Sequence, residues 1–517
     1  MQEGLTMGDT VKYTHRYLAC LIIEAETPLS VGSGEHDVMT DRLVATDVNG
    51  LPYIPGTSLA GVLRNAFSST VDKKTLINLF GYSEQDVNEE NKGKKDSEKD
   101  KGQGSRLILS SAQMIGKDEN AIDGLQTIDF NDEFYANFQN LPIRQHVRIS
   151  HKGAAEQGGK FDEQVVYKGT RFCFEMELVG TEADQSSWDK LLAEFSNPAF
   201  RIGGGTRKGF GAIKVEEVKS VVLDLVIDKD LIRYLDKTSE LNDKFWDNIQ
   251  SPQSPQSLQS PQSDGWIKYE LTLQPDDFFL FGSGFGSDDG SADMSYVTEK
   301  VIQWVNGKPS FTGEKVLIPA TSVKGALAHR TAFHFNRICE VFADKLKDAS
   351  SINELCQKGY YDFRNQPGDT FDSKKYEDRL KLVTTYNPAV RNLFGYALDD
   401  DEKEGASRGN VIFSDVFLSE KDKKKQKLLN HIAIDRFTGG AMDGALFSEE
   451  VAGSKEQFTL KILVKKDLNN DYIKAFECAL NDLCAGMLPL GGGTMRGHGC
   501  FSGKLVKNEL EYEPNCK

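Results

Sequence analysis

Two glycine-rich segments hold the residues whose types and spacing best fit a chemical task. Residues 203–211 read GGGTRKGFG and residues 491–499 read GGGTMRGHG. Glycines lack the Cβ atom that would keep an anion away from backbone N–H groups, and neighbouring basic side chains add positive charge. We therefore predict that both segments, called here the first and second glycine loops, bind phosphate groups. The predicted contact residues are Gly203, Gly204, Gly205, Arg207 and Lys208 in the first loop, and Gly491, Gly492, Gly493 and Arg496 in the second.

Neither glycine loop has the spacing of a common nucleotide-binding motif. The pattern G-x-x-x-x-G-K-[ST] fails because Phe210 follows Gly209, and G-x-G-x-x-G fails because Lys208 takes the place of the third glycine. The simplest alternative is a tight connection between a helix and a strand, which also favours glycine. The repeated threonine and basic residues favour anion binding over this alternative.

The two loops close two similar halves of the chain. The same landmarks occur in the same order in both halves, which indicates a tandem duplication. An element that is copied in this way predicts an anionic polymer held at two successive sites. The paired segments are residues 28–34 with 278–284, 54–61 with 318–325, 78–82 with 392–396, 146–149 with 431–434, and the glycine loops themselves.

The elements that must position the loops follow the order strand, helix, strands, helix, strand in each half. Residues 17–24 are apolar and typical of a strand, and Thr57 or Ser58 would cap a helix with one apolar face. Residues 188–195 show a second helical stripe directly before the first loop. This order predicts an α+β fold of two ferredoxin-like βαββαβ units with insertions.

A segment rich in Pro, Gln and Ser divides the two halves. It has almost no apolar side chain that could be buried in a core, so we predict a linker over residues 249–264. The predicted domains are therefore residues 1–248 and 265–517.

Composition limits the classes of function. A net charge of −16 argues against a nonspecific nucleic-acid binder, which would normally be basic. Residues 201–214, however, contain four basic residues and no acidic one. A local cationic track on an acidic body can still bind RNA, and the acidic excess can face basic partner subunits.

The cysteines and the apolar runs point to the cytoplasm. The eight cysteines include no C-x-x-C pair, so neither a zinc site nor a disulfide framework is expected. No apolar run is long enough for a membrane span, and no secretory signal is visible at the N-terminus.

Residues 435–441, with the sequence DRFTGGA, give the most specific resemblance to a known family. Together with the IPGTSL helix start at 54–59 and the glycine loops, this segment resembles the RAMP superfamily of CRISPR proteins, and more closely the Cas-seven-type backbone subunits of type III effectors. Two such units in one chain are similar to the fused double subunit of type III-D variants. The resemblance implies tandem RRM-like RAMP domains, each with a thumb hairpin inserted.

The resemblance also implies a function and partners. Such subunits bind a guide (CRISPR) RNA beside other effector subunits, and their thumbs splay the duplex between guide and target RNA. The thumbs would lie in residues 146–168 and 431–453, although SHKG at 150–153 departs from the family pattern. The implied thumb contacts are Arg148, His151, Lys152, Arg436, Phe437 and Thr438, and the implied phosphate contacts on the first helices are Ser58, Arg64, Ser322, Lys324 and Arg330.

Cleavage of target RNA is implied at an aspartate in the loop after the first strand of each unit. Asp41 fits the family position in the first half, with Asp37 as the alternative. Asp293 fits in the second half, where Asp288 and Asp289 compete. A carboxylate can hold Mg²⁺ or another divalent metal together with phosphate oxygens, and the RNA 2′-hydroxyl supplies the nucleophile.

Two other functions remain open on the sequence. The chain could be an RNA-binding scaffold without activity, or an endoribonuclease that processes the guide with histidines. His146 and His431 occupy equivalent positions beside apolar residues, which favours a structural role for both. His498 has Phe210 as its counterpart, which argues against a shared catalytic role.

Overall fold

A computed structural model describes most of the chain. The described residues are 13–37, 40–83, 102–150, 153–249, 265–286, 290, 292–344, 346, 376–396, 406–418, 427–453 and 455–516.

The first half contains nine strands and five helices among its described residues. The strands are β1 (His15–Ala25), β2 (Tyr82–Ser83), β3 (Gly102–Gln103), β4 (Leu107–Leu109), β5 (Gln113–Met114), β6 (Ile143–Ile149), β7 (Ala155–Gln164), β8 (Arg171–Gly180) and β9 (Ile213–Asp224). The helices are α1 (Gly56–Phe67), α2 (Lys73–Phe80), α3 (Glu133–Ala136), α4 (Gln185–Glu194) and α5 (Asp228–Leu235).

The second half repeats this order with additional short strands. Its strands are β10 (Trp266–Pro275), β11 (Thr298–Glu299), β12 (Ile302–Val305), β13 (Lys308–Phe311), β14 (Lys315–Ile318), β15 (Gly395–Tyr396), β16 (Ser407–Arg408), β17 (Val411–Phe413), β18 (Val416–Phe417), β19 (Lys427–His431), β20 (Phe447–Val451), β21 (Phe458–Lys465), β22 (Phe501–Lys507) and β23 (Leu510–Glu511). Its helices are α6 (Ala320–Cys339), α7 (Tyr376–Val383), α8 (Pro388–Phe394) and α9 (Asn470–Cys484).

Each half is built on one antiparallel sheet. The strand order is β4-β8-β1-β9 in the first half and β17-β21-β10-β22-β23 in the second, so the first long strand of each half lies inside its sheet. The chain thus has a mixed α/β content with antiparallel sheets in two regions, which is consistent with two ferredoxin-like domains.

The helices predicted from apolar spacing cover one face of each sheet. Leu59, Leu63 and Phe67 of α1 are buried with Trp188 and Leu191 of α4 in one core. In the second half, Val323 and Leu327 of α6 are buried with Phe476 and Leu480 of α9 in another. The predicted cap of α1 is wrong, because the helix begins at Gly56 with Pro55 at its N-cap and no side-chain cap hydrogen bond. Proline fixes φ near the value that a helix also adopts, and Pro55 has φ −56° with ψ 136°, so the helix begins after it without a side-chain cap.

A hairpin of the second half packs into the first. Phe311 of β13 lies against Phe134, Phe138 and Tyr167, with ring centroids 4.9–5.8 Å apart. The indole N–H of Trp304 donates to the carbonyl oxygen of Gly169 at 2.8 Å. The two halves therefore share a packed interface, which the sequence does not indicate.

Three further expectations concern segments and features outside the sheets. The predicted linker lies outside the described residues except for Ile249, which is buried, so the proposed domain boundaries stay a prediction. The expectation of no disulfide is corrected, since Cys478 and Cys516 are joined with their Cα atoms 5.5 Å apart. None of the helices in the described part of the chain has the length and apolar character that crossing a membrane requires.

Candidate nucleic-acid interface

The two glycine loops adopt the same backbone conformation. In each loop the first, third, fourth and fifth glycines have positive φ, a region that residues with a Cβ atom rarely adopt. The φ angles are 83°, 63°, 112° and 88° at Gly203, Gly205, Gly209 and Gly211, and 88°, 69°, 90° and 76° at Gly491, Gly493, Gly497 and Gly499. The duplicated sequence therefore gives a duplicated turn.

The second glycine of each loop is hydrogen-bonded to the segment that follows the first strand of its half. The N–H of Gly204 donates to the carbonyl oxygen of Ser30 at 2.6 Å, and that of Gly492 donates to Leu280 at 2.7 Å. A Cβ atom on Gly203 would lie 2.5 Å from the same Ser30 oxygen. These glycines thus allow close docking of the loop, and their predicted contact with phosphate remains a prediction.

The first glycine loop lies at the junction between the halves. Arg207 Nε donates to the carbonyl oxygen of Gly409 at 2.8 Å, and Arg408 donates to the hydroxyl group of Thr206 at 2.5 Å. Gly209 is so close to Ala320, at the start of α6, that a Cβ atom on the glycine would lie 2.6 Å from the alanine Cβ. The loop of the first half and the first helix of the second half therefore form one surface.

Five basic residues meet on this surface, and we call them the junction cluster: Arg201, Arg207, Lys208, Lys324 and Arg408. Arg201 is buried, and its Nε has no hydrogen-bond partner within the described ranges. Burial lowers the pKa of Arg207 to about 9, and the charges of Arg408 and Arg201 add to this effect. Burial also lowers the pKa of Lys324 to about 8, with Lys208 and Arg207 contributing. Every charge that shifts these two pKa values is positive, so a bound anion would relieve the repulsion.

The second glycine loop has a different environment. Arg496, the counterpart of Lys208, forms an ion pair with Glu449, with Nη2 and Oε2 2.6 Å apart. Met495, the counterpart of Arg207, is fully exposed. The two loops therefore share a backbone and differ in their contacts with neighbouring residues.

Each predicted cleavage aspartate is exposed and is hydrogen-bonded to a strand of the neighbouring hairpin. The N–H of Asp41 donates to Asp162 Oδ1 at 3.0 Å, and the N–H of Asp162 donates back to Asp41 Oδ2 at 2.9 Å. In the second half, the N–H and hydroxyl groups of Ser448 donate to Asp293 Oδ2 at 2.7 and 3.0 Å. These hydrogen bonds lower the pKa of Asp293. Asp41 and Asp293 thus occupy equivalent places in the two halves, and their role in cleavage stays a prediction.

The alternative aspartate of the first half is arranged differently from Asp41. Asp37 accepts a hydrogen bond from the N–H of Thr40 at 2.6 Å, which closes its own turn. Asp288 and Asp289 lie outside the described residues.

The carboxylates present suit a divalent ion that RNA helps to hold. Across the described ranges, no group of three or more His, Cys, Asp or Glu side chains is arranged to hold a metal ion. Asp41 and Asp162 offer two carboxylates in the first half, whereas Asp293 has Ser448 as its neighbour in the second. Mg²⁺ commonly binds one or two carboxylates and takes its other ligands from phosphate and water. The residues therefore fit such an ion, with a richer donor set in the first half.

The two predicted thumbs are antiparallel hairpins. β6 pairs with β7, and β19 pairs with β20. Arg148 is exposed and lies 3.6 Å from Glu156, while His151 and Lys152 lie outside the described residues. At the second tip, Asp435 Oδ1 accepts hydrogen bonds from the N–H groups of Phe437 and Thr438 at 2.9 and 2.7 Å. This turn leaves Arg436, Phe437 and Thr438 exposed, with the Phe437 ring fully in solvent.

The predicted RNA contacts on the first helices do not share one environment. Lys324 belongs to the junction cluster, whereas Arg330 forms an ion pair with Asp482, with Nε and Oδ2 2.5 Å apart. Ser322 lies half-buried in the first turn of α6. Ser58 and Arg64 are half-buried on α1.

A comparison with protein families matches the RAMP superfamily model at residues 22–214 and 280–502. The chain belongs to the RAMP superfamily. The two matched regions contain the two glycine loops and the two loop aspartates, so this RAMP protein carries a tandem double domain. A comparison with curated proteins gives no match.

Membership of this superfamily indicates a CRISPR-associated RNA-binding subunit. RAMP proteins act in CRISPR complexes with RNA and other subunits, and the superfamily includes some ribonucleases.

Two glutamates of this RAMP protein are buried beside the candidate site, and neither was predicted from the sequence. Glu163 and Glu449 are each 0% exposed, and they lie 2.9 Å from His146 Nε2 and 2.8 Å from His431 Nε2. Burial would raise the pKa of Glu163, but His146 and Lys208 outweigh it and hold the pKa below its usual value. A signal was present, since FDEQV at 161–165 and FSEEV at 447–451 are a further repeated pair.

Proposed function

We propose that this RAMP protein is a guide-RNA-binding backbone subunit of a type III CRISPR ribonucleoprotein, which splays the duplex of guide and target and cleaves the target with metal-dependent aspartates. Its proposed partners are the guide RNA, a complementary target RNA and other effector subunits in the cytoplasm. The junction cluster is the observation that carries this proposal.

The junction cluster favours a polyanion over a single small anion. Its residues come from both halves and extend from the buried Arg201 to the exposed Arg408. Mutual repulsion in a partly desolvated site is unfavourable, and shifted pKa values of this kind cluster at functional sites, where a ligand can supply the negative charge. A sugar–phosphate backbone that crosses the junction would meet these cations in succession.

The order of elements supports the finer assignment of the fold. Numbering the four main strands of each half along the chain gives the sheet order 4-1-3-2, with α1 and α4 or α6 and α9 in the two crossovers. This order supports the proposed βαββαβ arrangement, into which β6–β7 and β19–β20 enter as the proposed thumbs. Two units in one chain agree with the proposed likeness to type III-D fused subunits.

The proposed cleavage depends mainly on position. Once a splayed nucleotide brings the atoms into line, the 2′-hydroxyl oxygen bonds to the adjacent phosphorus and gives its proton to water, while the P–O5′ bond breaks and the 5′-oxygen takes a proton from water. The products are a 2′,3′-cyclic phosphate and a 5′-hydroxyl group. Asp41 with Asp162, and Asp293, would hold the divalent ion, which supplies charge neutralisation at the phosphate. The hairpin strands keep these carboxylates in place through the hydrogen bonds described above.

Two observations bear on the alternatives. His146 stacks on Phe161 with centroids 4.8 Å apart, and His431 stacks on Phe447 at the same distance. Both imidazoles also contact a buried glutamate, which favours a structural role over guide processing by histidine. The scaffold alternative fits the second half better than the first, because Ser448 in the place of Asp162 gives a poorer donor set there, but Asp293 still offers a carboxylate.

The proposal is tested by the RNA that the full-length chain retains. The chain would be expressed with a CRISPR array and purified, and its RNA would be sequenced. We expect guide RNA of defined length, lost from the Lys324→Met and Arg207→Met variants and kept by Lys504→Met, whose exposed side chain lies on β22. Random cellular RNA, or none, would contradict the guide-binding role.

A further inference from the structure

A short strand segment connects the glycine loop to the loop aspartate in each half. The segments are Phe161 to Glu163 on β7 and Phe447 to Glu449 at the start of β20, and each consists of an aromatic residue, a small polar or acidic residue and a buried glutamate.

The buried glutamate contacts the basic residue of the glycine loop. Lys208 Nζ lies 3.6 Å from Glu163 Oε1, and Arg496 Nη2 lies 2.6 Å from Glu449 Oε2. The same cations lie over the aromatic rings, with Lys208 Nζ 4.2 Å from the Phe161 centroid and the Arg496 guanidinium 5.6 Å from that of Phe447. Lys208 and Arg496 occupy the same position in the two loops.

The middle residue of each segment holds the loop aspartate. Asp162 exchanges two hydrogen bonds with Asp41, and Ser448 donates two to Asp293. On a strand, neighbouring side chains point to opposite faces, so the glutamate and the middle residue act on different sides of the same backbone. The glycine loop and the aspartate are therefore linked through about two residues.

The negative charge of the glutamate is what makes this link firm. A fully buried carboxylate is unfavourable unless positive partners lie close to it, and here the histidine and the loop cation supply that charge. A glutamine of the same size would keep the volume and lose the charge. Both halves have glutamate, histidine and phenylalanine at these positions, whereas Lys208 corresponds to Arg496 and Asp162 corresponds to Ser448.

We propose that Glu163 and Glu449 are positioning residues, each setting its own loop aspartate relative to the RNA that its own glycine loop holds. This inference rests on the cleavage role proposed above. It predicts that the two cuts in a target RNA depend on different glutamates.

The test uses the full-length chain with its guide RNA and a synthetic complementary RNA. In single-turnover assays at saturating target, Glu163→Gln should slow the cut assigned to Asp41 by about 10–100-fold and leave the other cut unchanged. Glu449→Gln should show the reverse selectivity. The affinity for target RNA should stay within about twofold of the wild type, because positioning acts on the rate constant of cleavage and not on binding.

Glu477→Gln is the matched control, since Glu477 is also buried but binds Tyr269, Tyr512 and Lys507 away from the hairpins. If a glutamine variant at either hairpin slows both cuts equally, or if Glu477→Gln shows the same selectivity, the positioning proposal is overturned.

Amide hydrogen exchange separates this inference from the cleavage role. If the wild type makes no cut, the cleavage role fails, and the same variants are compared by exchange. Faster exchange at residues 40–45 in Glu163→Gln, without change at 292–297, would uphold the positioning link. If Glu163→Gln changes the exchange rates of both segments equally, the positioning proposal is overturned, whether or not the wild type cleaves.

Discussion

Arg144 on the first hairpin and Glu299 in the second half form a buried ion pair, with Nε and Oε2 2.6 Å apart and side chains 6% and 3% exposed. The same guanidinium group reaches Asp415 Oδ2 at 3.1 Å. Asp415 in turn accepts a hydrogen bond from the N–H of Ala320, where α6 begins. One side chain of the first half thus fixes two segments that form the junction surface.

Replacing Arg144 with methionine should destabilise the protein by about 3–5 kcal/mol, because two buried carboxylates lose their counter-charge. Urea denaturation followed by tryptophan fluorescence measures this loss. Arg148→Met is the control, since Arg148 and Glu156 are exposed and such pairs contribute at most about 1 kcal/mol. Equal stability of the two variants would contradict the role of Arg144 at the junction.

Alanine substitutions at the adjacent glycines Gly203 and Gly204 should differ in their effect on stability. Gly203→Ala places a Cβ atom 2.5 Å from the Ser30 carbonyl oxygen at a positive φ of 83°, so we expect a loss of at least about 1–3 kcal/mol. Gly204→Ala meets Ser30 at 3.4 Å and should be much milder. Thermal unfolding of the two variants makes the comparison, and similar midpoints would show that close docking of the loop is unimportant.

Guide binding should weaken as the pH rises past the pKa of Lys324. That pKa is about 8 in the protein without RNA, and a bound phosphate raises it because it stabilises the ammonium form. RNA therefore binds the protonated lysine better, and affinity should fall by at most about tenfold per pH unit above pH 8 through this group. Filter binding between pH 7 and 9.5 measures the slope. Lys324→Met should bind more weakly at pH 7 and show a shallower slope, and an unchanged slope would exclude Lys324 as an RNA contact.

The exposed tip of the second hairpin should contact RNA and contribute little to the stability of the protein. Phe437 is fully exposed, so Phe437→Ala should change stability by no more than about 0.5 kcal/mol. Loss of a stacking ring should still slow the cut assigned to Asp293, because base–aromatic stacking contributes about 1–3 kcal/mol. Leu510→Ala, at another exposed apolar position, is the control for cleavage. Equal rates for both variants would argue against a splaying role.

Local patterns in the sequence predicted several main elements and the mixed α/β content of the two regions. The strand at 17–24 is part of β1, the stripe at 188–195 corresponds to α4, and the repeated landmarks lie at equivalent places in both halves. Periodicity and repeats predict such elements because the signal lies within a few neighbouring residues.

The contacts between the halves were beyond sequence reasoning. Arg144 and Glu299 are 155 residues apart, and nothing local distinguishes them from surface charges. Asp162 and Glu163 are adjacent acidic residues in the sequence, and only the fold shows that Asp162 is hydrogen-bonded to Asp41 while Glu163 is buried. Likewise, nothing in the sequence around Phe311 indicates that β13 packs into the other half.

The most direct measurement is a map of the cuts that the guide-loaded protein makes in an end-labelled complementary RNA. We predict two cuts at separate positions, both abolished by EDTA, with Asp41→Asn removing one and Asp293→Asn removing the other while guide RNA stays bound. Cuts that persist in EDTA, or that neither substitution affects, would contradict the account.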